Sequence, residues 1–245
     1  MISEKPVIVI VGPTASGKTG AAIELAQRID GEIIAADSRT IYKGMDIGTA
    51  KPSMKERGGI LHYGFDLVEP DEHFTVFDWK KYAEDKIEEI KKKGKYPIVV
   101  GGTGLYIDSL IFNYRFGEHK IGAKDRKKMR PGYVVYGIKW DMEDLRGRIL
   151  QREQKMFTNP ELMSETVRLA EQFDWNLQSM RSNIYQFAWR VLMGEIETEE
   201  AITLGALDDY HLARRQMTWF KRNPEIKWCT LREIVGVIIE DLNLF

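Results

Sequence analysis

The sequence predicts an α/β fold, in which a parallel sheet is flanked by helices and the C-terminal half is rich in helix. Two observations support this fold class. A continuous β-branched run at 6–11 leads through a glycine loop into a helical pattern, and a second short apolar run follows at 32–37. This strand, loop, helix, strand order is typical of the start of a doubly wound sheet. From 141 onward the apolar spacing is mainly that of helices.

The other elements follow from the same patterns of apolar spacing, glycine and proline. Strands are predicted at 6–11, 32–37, 96–100 and 133–140, with a short last strand in 225–229. Helices are predicted at 19–29, 77–94, 105–113, 142–157, 160–173, 182–193, 198–222 and 231–242. The stretch 38–76 is loop-rich and long, which is usual for a functional segment. We expect one α/β domain over residues 1–245, with 114–132 as a short basic connector.

Composition limits the class of protein. The 245 residues are 43% hydrophobic and 30% charged, with a formal net charge of −1, as in an ordinary globular protein. A basic face for nucleic acid would therefore have to be local. The single cysteine excludes an intramolecular disulfide and a cysteine-only metal site, and it suggests a reducing compartment. No apolar stretch is long enough to span a bilayer, and the first residues lack a signal-peptide pattern, so we expect a cytoplasmic protein without membrane contact.

The stretch "GPTASGKT" at 12–19 has the pattern of a phosphate-binding loop between a strand and a helix. Gly12 and Gly17 can adopt backbone angles that turn successive N–H groups inward, and the following helix adds the positive end of its dipole. Lys18 can reach the outer phosphate oxygens, and the Thr19 hydroxyl can bind Mg²⁺. The bland alternative is a glycine turn without a ligand. The motif predicts a phosphate-loop NTPase-like fold, but it does not identify the compound that carries the phosphates.

Asp37 follows the second predicted strand, at the sheet edge where open α/β sheets bind ligands. An aspartate here can equally be a helix cap or a turn former. The strand at 96–100 ends in "GGTG" and carries no acid that could steady Mg²⁺. Asp37 could take that part, so the residues alone leave a nucleotide hydrolase or kinase open.

Longer strings indicate a family. They are "GPTASGKT", "ADSRTIYKGMDIGTAKP" (36–52), "HYGFDLVEPDEHFTVFDW" (62–79), "VVGGTGLY" (99–106), "LRGRILQR" (145–152) and "ARRQMTWFKR" (213–222). In this order and over nearly the whole chain they resemble the tRNA dimethylallyltransferases. That resemblance implies a phosphate-loop-like fold and alkyl transfer rather than phosphoryl transfer. A dimethylallyl group would move from its diphosphate to N6 of the adenosine next to the 3′ side of the tRNA anticodon, with Mg²⁺ leaving with the diphosphate.

The resemblance also implies roles for particular residues. Asp37 would take a proton from the adenine amino group, and Thr103 would contact the adenosine or the diphosphate. Arg148 or Arg152, which share a face of one predicted helix, would clamp the diphosphate; two surface arginines are the alternative. The residues expected to bind the diphosphate are Gly12, Thr14, Ala15, Ser16, Gly17, Lys18 and Thr19, with Thr19 as the Mg²⁺ ligand.

The partners implied are dimethylallyl diphosphate and the anticodon stem-loop of tRNA, bound by a monomer. The target base would have to leave its stack, and arginines and aromatic side chains suit a splayed RNA loop. The residues expected to bind tRNA are Asp37, Ser38, Arg39, Thr40, Arg181, Tyr185, Arg214, Arg215, Gln216, Trp219, Lys221 and Arg222. Met217 and Phe220 are expected in the core, and the run "KKKGK" (91–95) on the solvated surface.

The sequence departs from the family pattern in its RNA half. Residues 114–132 stand where family members usually carry a helical insertion, Ile184 replaces a usual glycine before Tyr185, and Thr40 replaces a frequent glutamine. Three alternatives therefore stay open: isopentenyl transfer to a free adenine nucleotide, a catalytically weak RNA-binding relative, and a small-molecule kinase. The kinase explains the loop but not the other strings.

Overall fold

A computed structural model describes residues 5–114, 128–181 and 183–244. Six parallel strands form one sheet in the order β3-β2-β4-β1-β5-β6. The strands are β1 (Val7–Val11), β2 (Gly31–Ala35), β3 (His62–Tyr63), β4 (Tyr96–Gly101), β5 (Tyr133–Ile138) and β6 (Lys227–Cys229). The predicted α/β class with a parallel sheet is confirmed.

Eight helices accompany the sheet in the described part of the chain. They are α1 (Lys18–Ile29), α2 (Val76–Lys92), α3 (Gly104–Ile111), α4 (Met142–Phe157), α5 (Glu161–Gln172), α6 (Asn183–Leu192), α7 (Thr198–Phe220) and α8 (Ile234–Asp241). Each predicted helix is present. The predicted start of the sixth, at 182, lies outside the described residues, as does most of the basic connector, at 115–127.

The sheet is buried on both faces, which explains why its central strands are continuous apolar runs. All five residues of β1 are buried, and they alternate between two cores. One core packs α2 and α3 on one face of the sheet, and the other packs α1 and α8 on the opposite face. No helix in the described part of the chain is long and apolar enough to cross a membrane.

The helices of the C-terminal half have a core of their own beside the sheet. It joins α4, α5, α6 and α7 with Met45 from the long loop after β2. The end of α7 connects this layer to the sheet, because Phe220 lies in the core under α2 and α3. Met217 is 9% and Phe220 is 1% exposed, which confirms the prediction that both pack inside.

Two details differ from the expected elements. The stretch 38–76 contains the strand β3, which pairs with β2; two residues are too few to give a recognisable alternating pattern. The second strand ends at Ala35, so Asp37 lies two residues beyond it, in the following loop. This places the aspartate in a loop at the carboxyl end of the sheet rather than in the strand.

Candidate active site

The loops that follow β1, β2 and β4 surround one cavity of about 520 Å³ at the carboxyl ends of these strands. This is the edge at which parallel α/β sheets bind their ligands. Many of the predicted site residues line it: Thr14, Lys18, Thr19, Asp37, Ser38, Arg39, Thr40, Thr103, Arg152, Arg215, Gln216 and Trp219. The structure thus brings residues of the predicted phosphate loop and Asp37, the predicted general base, into one cavity.

The phosphate loop has the backbone expected of an anion nest. Gly17, with φ 85°, is the N-cap of α1, and a Cβ there would lie 2.8 Å from the Leu231 side chain. Ala15 also has a positive φ, of 58°. A Cβ on Gly12 would lie 2.9 Å from Ser16 Oγ, which is buried and has no hydrogen-bond partner in the described structure. Gly17 is therefore required by its backbone conformation, whereas Gly12 has no positive φ and is favoured by the close approach of Ser16 alone.

Lys18 begins α1 and turns back towards its own loop. Its Nζ donates to the carbonyl of Pro13 at 3.2 Å. Burial lowers the pKa of Lys18 to about 8; the charges of Asp37 and Asp209 oppose this shift and that of Arg152 adds to it. A partly desolvated ammonium gains more from a bound anion than an exposed one does, which suits a phosphate ligand.

The two arginines of "LRGRILQR" have different positions. Arg152 lines the cavity, where its Nη1 donates to Thr14 Oγ1 and lies 3.9 Å from Asp209 Oδ2. Arg148 does not line the cavity: its Nε donates to the Ala15 carbonyl at 3.0 Å, and its guanidinium stacks 4.7 Å from the Trp140 ring centroid. Arg152 is therefore the candidate anion ligand, and Arg148 supports the loop from outside.

Gln216 was predicted to bind RNA, but its side-chain amide makes hydrogen bonds to the protein itself. Its Oε1 accepts from the backbone N–H of Thr14 at 2.7 Å, and its Nε2 donates to the carbonyl of Gly102 at 3.1 Å. A Cβ on Gly102 would lie 2.4 Å from Nε2, so the glycine is needed for this contact. Both ends of the amide are engaged by the protein, and Gln216 joins the phosphate loop to the "GGTG" loop.

Asp37 and Thr103 lie where the loops after β2 and β4 meet. Asp37 Oδ1 accepts from the backbone N–H of Arg39 at 2.9 Å. Thr103 Oγ1 accepts from the backbone N–H of Ser38 at 3.0 Å and donates to Ser38 Oγ at 3.3 Å. Thr40 is only 5% exposed, and its Oγ1 has no hydrogen-bond partner in the described structure, although the residue lines the cavity. This corner offers polar groups to a ligand.

A buried glutamate, missed in the sequence, anchors the "GMDIG" loop. Glu165 of α5 is 7% exposed and accepts from three backbone N–H groups, of Asp46, Ile47 and Gly48, at 3.0–3.1 Å. The Tyr185 hydroxyl donates to the same carboxylate at 2.6 Å. Tyr185 is fully buried, so the prediction that it contacts RNA is wrong in this structure: the ring packs beneath the loop. A glutamate at a helical position gives no signal of burial in sequence.

A second, shallower depression lies beside the cavity on the last turns of α7. It is lined by His211, Arg214, Arg215, Thr218, Trp219 and Arg222, and two of these, Arg215 and Trp219, also line the cavity. The Arg222 guanidinium lies 5.5 Å from the Trp219 ring centroid. Lys221 and Arg181 are exposed and line neither opening. We call the six lining residues the α7 basic surface.

Comparison with known proteins identifies the family. The IPP transferase family model matches residues 40–131 and 118–223, and the isopentenyl transferase model matches residues 5–62. A tRNA dimethylallyltransferase of Acetivibrio thermocellus is 36% identical, over 91% of this chain and 90% of its own length.

Solved structures that resemble this chain belong to the same family. The tRNA isopentenylpyrophosphate transferase of Staphylococcus epidermidis superposes with a TM-score of 0.85 and 32% identity, over 98% of this chain and 99% of that one. That of Bacillus halodurans has the same TM-score, 0.85, with 28% identity, over 98% of this chain and 97% of that one. The phosphate-loop fold and the resemblance predicted from sequence are confirmed, and the chain belongs to the tRNA dimethylallyltransferase family.

Proposed function

We propose that the protein transfers a dimethylallyl group from dimethylallyl diphosphate to N6 of the adenosine adjacent to the 3′ side of the anticodon in tRNA, with Mg²⁺, and releases diphosphate. The observation that carries this proposal is that Asp37 and the phosphate loop line the same cavity. A phosphate loop alone would suit any nucleotide. A loop that shares its cavity with a carboxylate and a basic aromatic surface suits a phosphorylated donor and an RNA acceptor.

On the donor side, the diphosphate becomes more negative as its bond to the transferred carbon breaks. Lys18, Arg152 and the N-terminal end of α1 lie where they can stabilise that charge. Lys18 Nζ donates to the Pro13 carbonyl and Arg152 Nη1 to Thr14 Oγ1, so both cations are held beside the loop, which lowers the cost of reorganisation. We assign leaving-group stabilisation to these groups.

The donor set also fits Mg²⁺. Among the described residues, no group of three or more His, Cys, Asp or Glu side chains could hold a metal ion. Magnesium commonly uses one or two protein oxygens together with phosphate oxygens and water. Thr19 lines the cavity, and its hydroxyl would be the protein ligand; when bound, Mg²⁺ would supply positive charge to the diphosphate.

On the acceptor side, Asp37 accepts the proton that leaves the adenine amino group. The N6–carbon bond forms while the carbon–oxygen bond to diphosphate breaks, and the proton passes to the Asp37 carboxylate and then to solvent. Thr103 holds the backbone beside Asp37 through Ser38. The aspartate is thereby kept in place, which is a condition for general base catalysis.

The acceptor base must leave its stack to enter the cavity. The α7 basic surface joins the cavity through Arg215 and Trp219, so RNA bound there has a direct path for an extruded base. Arginine and aromatic planes are suitable platforms for unstacked bases.

The test is transfer of radiolabelled dimethylallyl from its diphosphate to an anticodon stem-loop with an adenosine-rich loop. We expect label on the RNA, and none when the target adenosine is replaced by purine riboside, which lacks the amino group. Label on AMP but not on the stem-loop would point to a free nucleotide as the acceptor. Stem-loop binding without any transfer would point to an RNA-binding relative with little activity.

A further inference from the structure

A pair of acidic side chains lies in the cavity wall next to the phosphate loop. Glu153 of α4 and Asp209 of α7 both line the cavity. Glu153 is 2% exposed, and its Oε2 has no hydrogen-bond partner in the described structure. An acid this deep beside an anion site has no role in the chemistry described above.

The pair is built into the packing of two helices. Gly205 of α7 faces Glu153, and a Cβ on that glycine would lie 2.7 Å from Oε2. The negative charge of Asp209 acts on the Glu153 carboxyl and raises its pKa. Thr14 Oγ1 donates to Asp209 Oδ2 at 3.4 Å, and Arg152 Nη1 donates to Thr14 Oγ1. The two charged groups that act on Glu153, Asp209 and Arg152, are thereby joined to the phosphate loop through Thr14.

The charged groups that act on Glu153 come from two elements. Asp209 of α7 raises its pKa and Arg152 of α4 lowers it, and both of these groups also act on Lys18. Burial is the largest influence and, with Asp209, it raises the pKa of Glu153 to about 8. Near neutral pH the carboxyl of Glu153 is therefore mostly neutral.

We propose that Glu153 is a proton-binding component of the diphosphate pocket, neutral while the pocket holds a diphosphate, and that its ionisation weakens binding of that ligand. The inference rests on the proposed function only in taking a diphosphate as the ligand. A bound anion makes a second negative charge in the wall less favourable, so binding draws a proton onto Glu153. Affinity is then highest below pH 8 and is lost as the pH rises through and above it.

Lys18 contributes to the same trend, because its pKa is also about 8 and a bound anion favours its charged form. The two contributions are separated by substitution. Glu153→Gln keeps the size of the side chain and cannot ionise, whereas Lys18 and the titration of the ligand itself are common to both proteins. The difference between wild type and Glu153→Gln therefore reports Glu153.

The experiment is calorimetric titration of the full chain with inorganic diphosphate and Mg²⁺, in buffers of different ionisation enthalpy. At pH values above neutral, where the free Glu153 carboxyl begins to ionise, the wild type should take up more protons on binding than Glu153→Gln, by at most about one. Above about pH 8 the wild type should lose up to about tenfold more affinity per pH unit than the variant. Glu200→Gln, an exposed acid on α7, removes the same charge and should behave as wild type.

Glu153→Met is a second variant, in which an apolar side chain of similar length fills the same space; it should show the same smaller proton uptake. Equal proton uptake in the wild type and both variants would overturn the inference while leaving the donor site intact. Absence of diphosphate binding to the wild type at every pH would instead overturn the donor assignment and the inference together.

Discussion

At the scale of single residues, Asp37 and Lys18 define the two ends of the candidate chemistry. The charge of Asp37 acts on Lys18 in the direction that keeps the ammonium protonated, so the two groups are electrostatically linked across the cavity. Changing the aspartate should therefore affect catalysis directly and diphosphate binding only through Lys18. The effect on catalysis can be measured separately from the effect on diphosphate binding at a pH at which Lys18 stays charged.

We predict that Asp37→Asn lowers kcat for prenyl transfer by at least about 100-fold, the usual contribution of a positioned base. Asparagine keeps an oxygen for the backbone N–H of Arg39, so the loop should stay in place. Diphosphate affinity, measured at a pH about one unit below neutral, should change little because Lys18 remains protonated there. Turnover at the wild-type rate would remove Asp37 from the mechanism.

The residues that sequence reasoning located are those with a motif, and those it missed are buried acids. The phosphate loop "GPTASGKT" is recognisable from the spacing of its glycines, lysine and threonine, and Asp37 is recognisable from its position after a strand. Glu153 and Glu165 lie in helical stretches in which a charged residue normally faces solvent. Their burial depends on what packs against α4 and α5, which local spacing does not contain.

At the scale of elements, the helix starts at α2 and α4 were predictable because a side-chain cap is a local feature. The predicted helix 142–157 is found as Met142–Phe157, and the Asp141 side chain caps it by accepting from the N–H of Glu143 at 2.8 Å. Thr75 and Asp78 form a reciprocal capping box at the start of α2. The strand β3, by contrast, is formed only through its neighbour β2.

The helices α5 and α6 also shape the cavity, through the "GMDIG" loop. A Cβ on Gly48 would lie 2.5 Å from Tyr185 Cζ, so the loop rests directly on the ring. The Glu165 carboxylate holds the N–H groups of the same loop, and Gly48 lines the cavity. Two helices of the C-terminal half therefore position a wall of a site that lies on the sheet.

We predict that Glu165→Gln destabilises the protein by about 1–3 kcal/mol, because the amide presents N–H donors to the backbone donors that the carboxylate satisfied. Tyr185→Phe removes one hydrogen bond but keeps the ring, and it should cost about 1 kcal/mol. Denaturant unfolding measures both. In the transfer assay Glu165→Gln should raise KM more than it lowers kcat, since the loop is a wall and not a reacting group. A Glu165→Gln protein with wild-type stability and KM would contradict this role.

At the scale of the whole molecule, a net charge of −1 coexists with a local basic surface. The α7 basic surface adjoins the cavity at the carboxyl ends of the strands. The run "KKKGK" lies at the other end of the sheet, because Lys92 ends α2 just before β4 begins at Tyr96. The net charge conceals this separation, and only the fold reveals which basic run lies near the site.

The chain is also shorter than the relatives it matches. The alignment with the Acetivibrio thermocellus protein runs over 284 positions, more than the 245 residues of this chain, so that relative carries residues without a counterpart here. The two matches to the IPP transferase model meet at 118–131, within the predicted connector. The connector remains a prediction, since 115–127 lie outside the described structure. The α7 basic surface should consequently carry a large share of the electrostatic attraction to RNA.

We therefore predict that the salt dependence of RNA affinity arises from the α7 basic surface, at one end of the molecule. Each lost phosphate contact reduces the slope of log affinity against log salt by about 0.7–0.9. Arg214→Ala and Arg222→Ala should each weaken binding of the anticodon stem-loop and reduce the slope by up to about this amount, measured by fluorescence anisotropy over a salt series. Lys92→Ala removes the same charge at the far end of the sheet and should leave the slope unchanged. If the slopes of all three variants equal that of the wild type, RNA does not bind on the α7 basic surface. If only Lys92→Ala has a reduced slope, RNA binds at the opposite end of the sheet.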